Sequence, residues 1–208
     1  MKTAYKIFTP LFSLAVLPAL FFLPLLHLSL GSVLTESLSG VMGLKEYSSI
    51  FDILKTAGSI DEKTQTVFKL VREILTSNEN KLGAAITTKG FLVAAVVFLV
   101  LMLVLAILTA CFALFSKKQI LSVCFALGGA LSGVLANKMF DAFAKPFLTG
   151  AVSLKNLLSD AGTLSDLIGG LVTVKELELA IAYQVCVLLL GVAAIFGVAV
   201  IAKEKFAE

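Results

Sequence analysis

The sequence predicts an all-α polytopic membrane protein: a four-helix transmembrane bundle whose two extracytoplasmic helical loops pack on each other as a small cap. Three observations predict it. Of 208 residues, 59% are hydrophobic and only 15% charged, where an average soluble domain has about a quarter charged, and mean hydropathy is +1.01. Uncharged runs close to the roughly twenty residues that cross a bilayer as a helix recur four times. Six lysines sit in three short segments that flank these runs.

Residues 1–30 hold the N-terminus and the first span, over about 7–30, preceded by Lys2 and Lys6. Pro10, Pro18 and Pro24 fall inside it. A proline removes a helical hydrogen bond, so a kink is expected near Pro18 and Pro24. A cleaved signal peptide is the rival reading, given the basic start and small residues Ser29 and Gly31. The apolar stretch is longer than the roughly 7 to 15 residues of a signal core, which favours a retained span.

Residues 31–90 form the first external loop. Leu44, Tyr47, Phe51 and Leu54 recur at helical spacing, as do Val67, Leu70, Val71, Ile74 and Leu75. Ser59 and Glu62 make a capping box for the second of these helices. Residues 91–137 carry the second span (91–115), a short link with Lys117 and Lys118, and the third span (120–136). In the third span Gly128, Gly129, Ser132 and Gly133 form a stripe of small residues along which another helix can approach closely.

Residues 138–178 form the second external loop, with Leu154, Leu157, Leu158, Leu164, Leu167, Ile168 and Leu171 at helical spacing. Thr173 and Glu176 read as a capping box opening the last helix. Residues 179–208 hold the fourth span and the tail, with Gly191 and Gly197 repeating the small-residue theme. Spans three and four are therefore the expected close-packed pair. Lys2, Lys6, Lys117, Lys118, Lys203 and Lys205 all fall on one side if the chain crosses four times. Basic residues in short loops mark the cytoplasmic side, so both termini are expected there, in the cytoplasmic membrane.

An offset of 110 aligns residues 38–45 with 148–155, four of the eight positions being identical. Tandem duplication of 1–115 and 116–208 would explain this match, and chance would too, because Leu, Gly and Ser are abundant.

The four runs contain no Asp, Glu, Lys or Arg, which argues against proton-coupled transport and voltage sensing, both of which use an ionisable group at membrane depth. His27, the single histidine, and Gln184 are the polar intramembrane candidates. One histidine cannot complete a bis-histidine haem site or a three-ligand zinc site. Cys111, Cys124 and Cys186 lie inside apolar runs and form no C-x-x-C pair. Phosphate-loop, H-E-x-x-H and G-x-S-x-G motifs are absent from the chain. The layout is similar to tetraspanins and claudins in topology only, because their Cys-Cys-Gly and Trp-containing motifs are missing.

No catalytic, cofactor-binding or metal-binding residue is therefore expected, and no cofactor. A net charge of +3 without a concentrated basic face gives no reason to expect nucleic-acid binding. The expected partners are membrane lipid and either a second copy or another membrane protein. The leading expectation is a non-catalytic structural or assembly subunit, with Gly128, Gly129, Ser132, Gly133, Gly191 and Gly197 as packing positions. An oligomeric channel or small-solute permease is the alternative, its pore lined by Ser, Thr, Gly and Gln. A membrane enzyme ranks third.

Overall fold

A computed structural model of the chain describes residues 2–31, 47–51, 85–115, 119–149 and 173–206. The chain is mostly helical. In order, the elements are α1 (Lys2–Phe22), β1 (Pro24–Gly31), β2 (Tyr47–Ser49), α2 (Ala85–Phe115), α3 (Gln119–Leu148), β3 (Thr173–Leu179) and α4 (Ile181–Phe206). Four helices are long and apolar enough to cross a membrane: Ala4–Phe22, Gly90–Phe115, Gln119–Pro146 and Ile181–Lys203.

The first helix is shorter than the apolar run that contains it. α1 continues through Pro10 and Pro18 and ends at Phe22, its final turn closed by the Leu23 N–H donating to the Ala19 carbonyl at 3.1 Å. Pro24 disfavours helical geometry at the residue before it, and it starts β1 instead of kinking a helix. From Leu26 onward the chain reads Leu-His-Leu-Ser-Leu, the two-residue alternation of a strand. The expectation of helix through residue 30 is corrected on this point, and the chain is not all-α.

Two further expectations change for the same reason. The sequence Leu177-Glu178-Leu179 alternates as well, and Thr173 and Glu176 belong to β3 instead of capping α4. Tyr47, read as part of a helical repeat, lies in β2. β1 is the central strand of a sheet ordered β2-β1-β3, antiparallel to both neighbours. Leu26 stands opposite Leu179, His27 opposite Glu178 and Ser29 opposite Glu176, with a register shift after Ser29.

The third helix is longer than its apolar run. α3 continues past Ala136 to Leu148 because 137–148 is itself amphipathic. Phe140, Phe143 and Ala144 are buried, with the two rings 5.6 Å apart, while Lys138, Asp141 and Lys145 are exposed. The helix closes where the Thr149 N–H and hydroxyl both donate to the Lys145 carbonyl at 3.0 Å.

The chain divides into two compact units: Met1–Leu23, Ala94–Lys138 and Ile181–Glu208 form the first, Pro24–Val93 and Met139–Ala180 the second. In the first unit adjacent helices run in opposite directions. α1 meets α4 with Cys186 near Val16 and Tyr5 near Gly197. α2 meets α3 through Met102 at Gly133 and Leu105 at Gly128, and through the Phe112 and Phe125 rings, 5.1 Å apart. α3 meets α4 through Gly129 at Leu190 and Gly133 at Val187. The external helical stretches expected within 52–84 and 150–172, the segments 38–45 and 150–155 of the repeat, and Lys117 and Lys118 lie outside the described residues.

Candidate functional site

The small residues do not share one role. A Cβ added at Gly133 would lie 2.5 Å from Val187 Cγ2 and 2.9 Å from Met102 Sδ; one at Gly129 would lie 2.9 Å from Leu190 Cδ1. At Gly197 it would collide with Val123, and at Gly128 it would only touch Leu105, at 3.4 Å. Gly129, Gly133 and Gly197 thus hold α3 and α4 together within one chain. Ser132 is buried and its hydroxyl donates to the Gly128 carbonyl at 2.8 Å, bonding within its own helix.

Gly191 differs. Nothing lies within 4 Å of a Cβ built there. At 100° per residue, Gln184, Leu188, Gly191, Ile195 and Val198 fall on one stripe of α4. Gln184 is exposed, Leu188 and Ile195 are 67% and 69% exposed, and the opposite face carries buried Ala182, Cys186, Leu190 and Ala193. Gln184 is therefore turned away from the other helices of the first unit. The stripe is an open notch over one glycine, with an amide one turn from the start of the helix.

Among the described residues of the first unit, the hydroxyl side chains of Thr9, Ser13, Thr109, Ser122 and Ser132 are buried; Thr9 Oγ1 and the Gln119 amide oxygen are buried without a hydrogen-bond partner. Ser13 donates to the Thr9 carbonyl at 2.8 Å and Thr109 to the Leu105 carbonyl at 2.7 Å. Ser122 links two helices by donating to the Thr109 carbonyl at 3.0 Å. Such bonds satisfy hydroxyls in an apolar interior and occupy the donors a polar solute would need.

His27 lies in β1, outside the helix Ala4–Phe22. Its side chain is 9% exposed, and Nδ1 stands 3.4 Å from Glu178 Oε1 and 3.7 Å from Glu176 Oε2, on carboxylates that are themselves 63% exposed. The antiparallel register causes this, since residues opposite each other across the ladder share a face. The same two glutamates line a cleft of about 330 Å³ in the second unit, together with Lys175 from β3 and Asp141, Lys145 and Leu148 from α3. Among the described residues, no three His, Cys, Asp or Glu side chains are placed to hold a metal ion.

The sequence reading missed this charged cleft. Its signal was available in the Leu-x-Leu alternation of residues 26–30 and 177–179 and in the i, i+3, i+7 spacing of Lys138, Asp141 and Lys145. Compared with known protein families, with curated protein sequences and with solved structures, the chain matches none.

Proposed function

We propose that the chain is an integral membrane protein of four spans, with both termini cytoplasmic, that acts without catalysis as an assembly subunit of the cytoplasmic membrane. The open notch at Gly191 on α4 carries this reading. The other close-packing glycines, Gly129, Gly133 and Gly197, are already filled by neighbours in the same chain. Gly191 keeps the same geometry unfilled, between two strongly exposed apolar side chains and on a stripe that begins with an exposed amide. Small residues that let backbones approach and amides that bond between helices are the two means by which helices associate in lipid.

A pore or permease has less support, because Ser13, Thr109, Ser122 and Ser132 spend their hydroxyl protons on backbone carbonyls. The test is the size of the complex extracted from membranes in mild detergent. Wild-type protein should migrate as a complex, with itself or with another membrane protein, and Gly191→Phe should release single chains. Single chains from wild type, together with a solute flux through reconstituted vesicles that changes with Ser132 or Gln184 substitution, would replace the assembly reading by the permease.

A further inference from the structure

We infer that the open stripe of α4 receives the same stripe of a second copy of this chain, the two helices running parallel about a twofold axis along the membrane normal. The inference rests on the assembly reading above and names the partner which that reading left open. Spacing, the amide and symmetry carry it.

The stripe keeps a strict repeat. Ile181, Gln184, Leu188, Gly191, Ile195 and Val198 follow one another at intervals of three, four, three, four and three residues. That is the 3.5-residue period of a left-handed coiled-coil seam, with Ile181, Leu188 and Ile195 at the a positions and Gln184, Gly191 and Val198 at the d positions. It extends about 26 Å along the helix at 1.5 Å per residue, most of a hydrocarbon core of about 30 Å. Its four apolar side chains are 52% to 69% exposed. β-branched residues at a, here Ile181 and Ile195, favour parallel two-stranded coils.

The amide says what covers the seam. Gln184 is the one exposed carboxamide among the described residues of the four spans, Gln119 and Asn137 being half-buried. It is turned away from the other helices of its unit, so they do not pair with it. Acyl chains cannot hydrogen-bond an amide, and a face that met lipid alone would leave it unpaired. A single polar member of a seam fixes the register and number of strands.

Symmetry selects the partner. Two copies threaded alike bring each residue to the height of its own equivalent, as an isologous interface requires. A carboxamide carries two N–H donors and one carbonyl acceptor, so the two Gln184 side chains can each donate to the other. Gly191 then meets Gly191 at the middle of the seam, where nothing holds the backbones apart. A different protein would have to present an amide and a small residue at the same two heights.

Oxidation of native membranes with a copper catalyst tests the pairing, in a background with Cys111, Cys124 and Cys186 replaced by alanine. Leu188→Cys and Val198→Cys, made separately, should each cross-link to themselves as dimers. Leu131→Cys, at a position 60% exposed on the outer face of α3, should stay single under the same conditions. Gln184→Leu should raise the dimer dissociation constant, read by sedimentation equilibrium in detergent, about sevenfold while keeping the helical circular dichroism. That factor is the equivalent of two hydrogen bonds between helices at about 0.6 kcal/mol each. No cross-link at either seam position, or one equally strong at Leu131→Cys, would overturn the second copy as occupant. An unchanged dissociation constant in Gln184→Leu would overturn the paired amides. The size of the wild-type complex in mild detergent separates the two levels of failure. Single chains overturn the assembly reading itself, whereas a complex that gives no seam cross-link overturns the second copy alone and seats another membrane protein on the stripe.

Discussion

The helical unit and the strand-bearing unit solve the same problem by opposite means. In the first, the closest contacts occur where side chains are missing, at Gly129, Gly133 and Gly197, and the buried hydroxyls of Ser13, Thr109, Ser122 and Ser132 donate to backbone carbonyls. In the second, the described contacts include charges: His27 against two glutamates and a cleft whose lining has carboxylates and lysines. Without water, a helix gains from close backbone approach and from satisfying every polar group internally. At a wetted surface, ion pairs are cheap to make and leave groups able to meet a charged partner.

The largest expected effect breaks the first half of that comparison. Gly133→Leu has no room, since even its Cβ would meet Val187 and Met102. Overpacking of this kind costs about 3 kcal/mol or prevents folding, measured as a drop in thermal midpoint in detergent. A stability within about 0.5 kcal/mol of wild type would remove the close contact proposed between α3 and α4.

A smaller change is expected in the second unit. Replacing buried His27 with alanine deletes the cross-strand contact with Glu176 and Glu178 and should weaken the β1–β3 pairing by about 1 kcal/mol. Hydrogen exchange of the Leu26 and Leu179 amides reads this, and unchanged protection would show that the pairing does not depend on the imidazole. Ser122→Ala, which removes the hydrogen bond to the Thr109 carbonyl, should cost about 0.6 kcal/mol, the average for hydrogen bonds between helices in a membrane protein. A loss of several kcal/mol there would mean that the hydroxyl serves more than one partner.

The smallest effect sharpens the contrast between filled and open glycines. Gly191→Leu should leave the stability of the single chain within about 0.5 kcal/mol of wild type, because nothing lies within 4 Å of the added carbon, while it reduces assembly. Destabilisation comparable to that of Gly133→Leu would mean that the site is closed after all.

The four apolar helices were legible because their signal is sustained over many residues: α2 and α4 were placed to within a few residues at most ends. Their boundaries were less legible. In β1 the apolar run continues without a charge beyond Phe22, so hydropathy alone could not separate helix from strand. The alternation around His27 and the proline at 24 carried the distinction. In α3 the opposite happened, since Lys138, Asp141 and Lys145 ended the apolar run but not the helix. Of the small-residue stripe, Gly129 and Gly133 lie against α4, whereas Gly128 lies against α2. Which glycine would be filled and which left open depends on how α3 and α4 are rotated about their axes, and one-dimensional spacing does not fix rotation. The cleft needed residues of α3 and β3, as far apart in the chain as Asp141 and Glu178, to meet, a pairing no local pattern encodes.

The account stands or falls on threading, and thiol labelling with an impermeant reagent in intact cells tests it most directly. In a background with Cys111, Cys124 and Cys186 replaced by alanine, Lys175→Cys should react in sealed cells, and Lys203→Cys only after the membrane is opened. Both positions are exposed, so burial does not protect either one. Reaction of both from the same side, or of Lys203→Cys alone from outside, would contradict a chain whose last helix carries its charged strand outward and its tail to the cytoplasm.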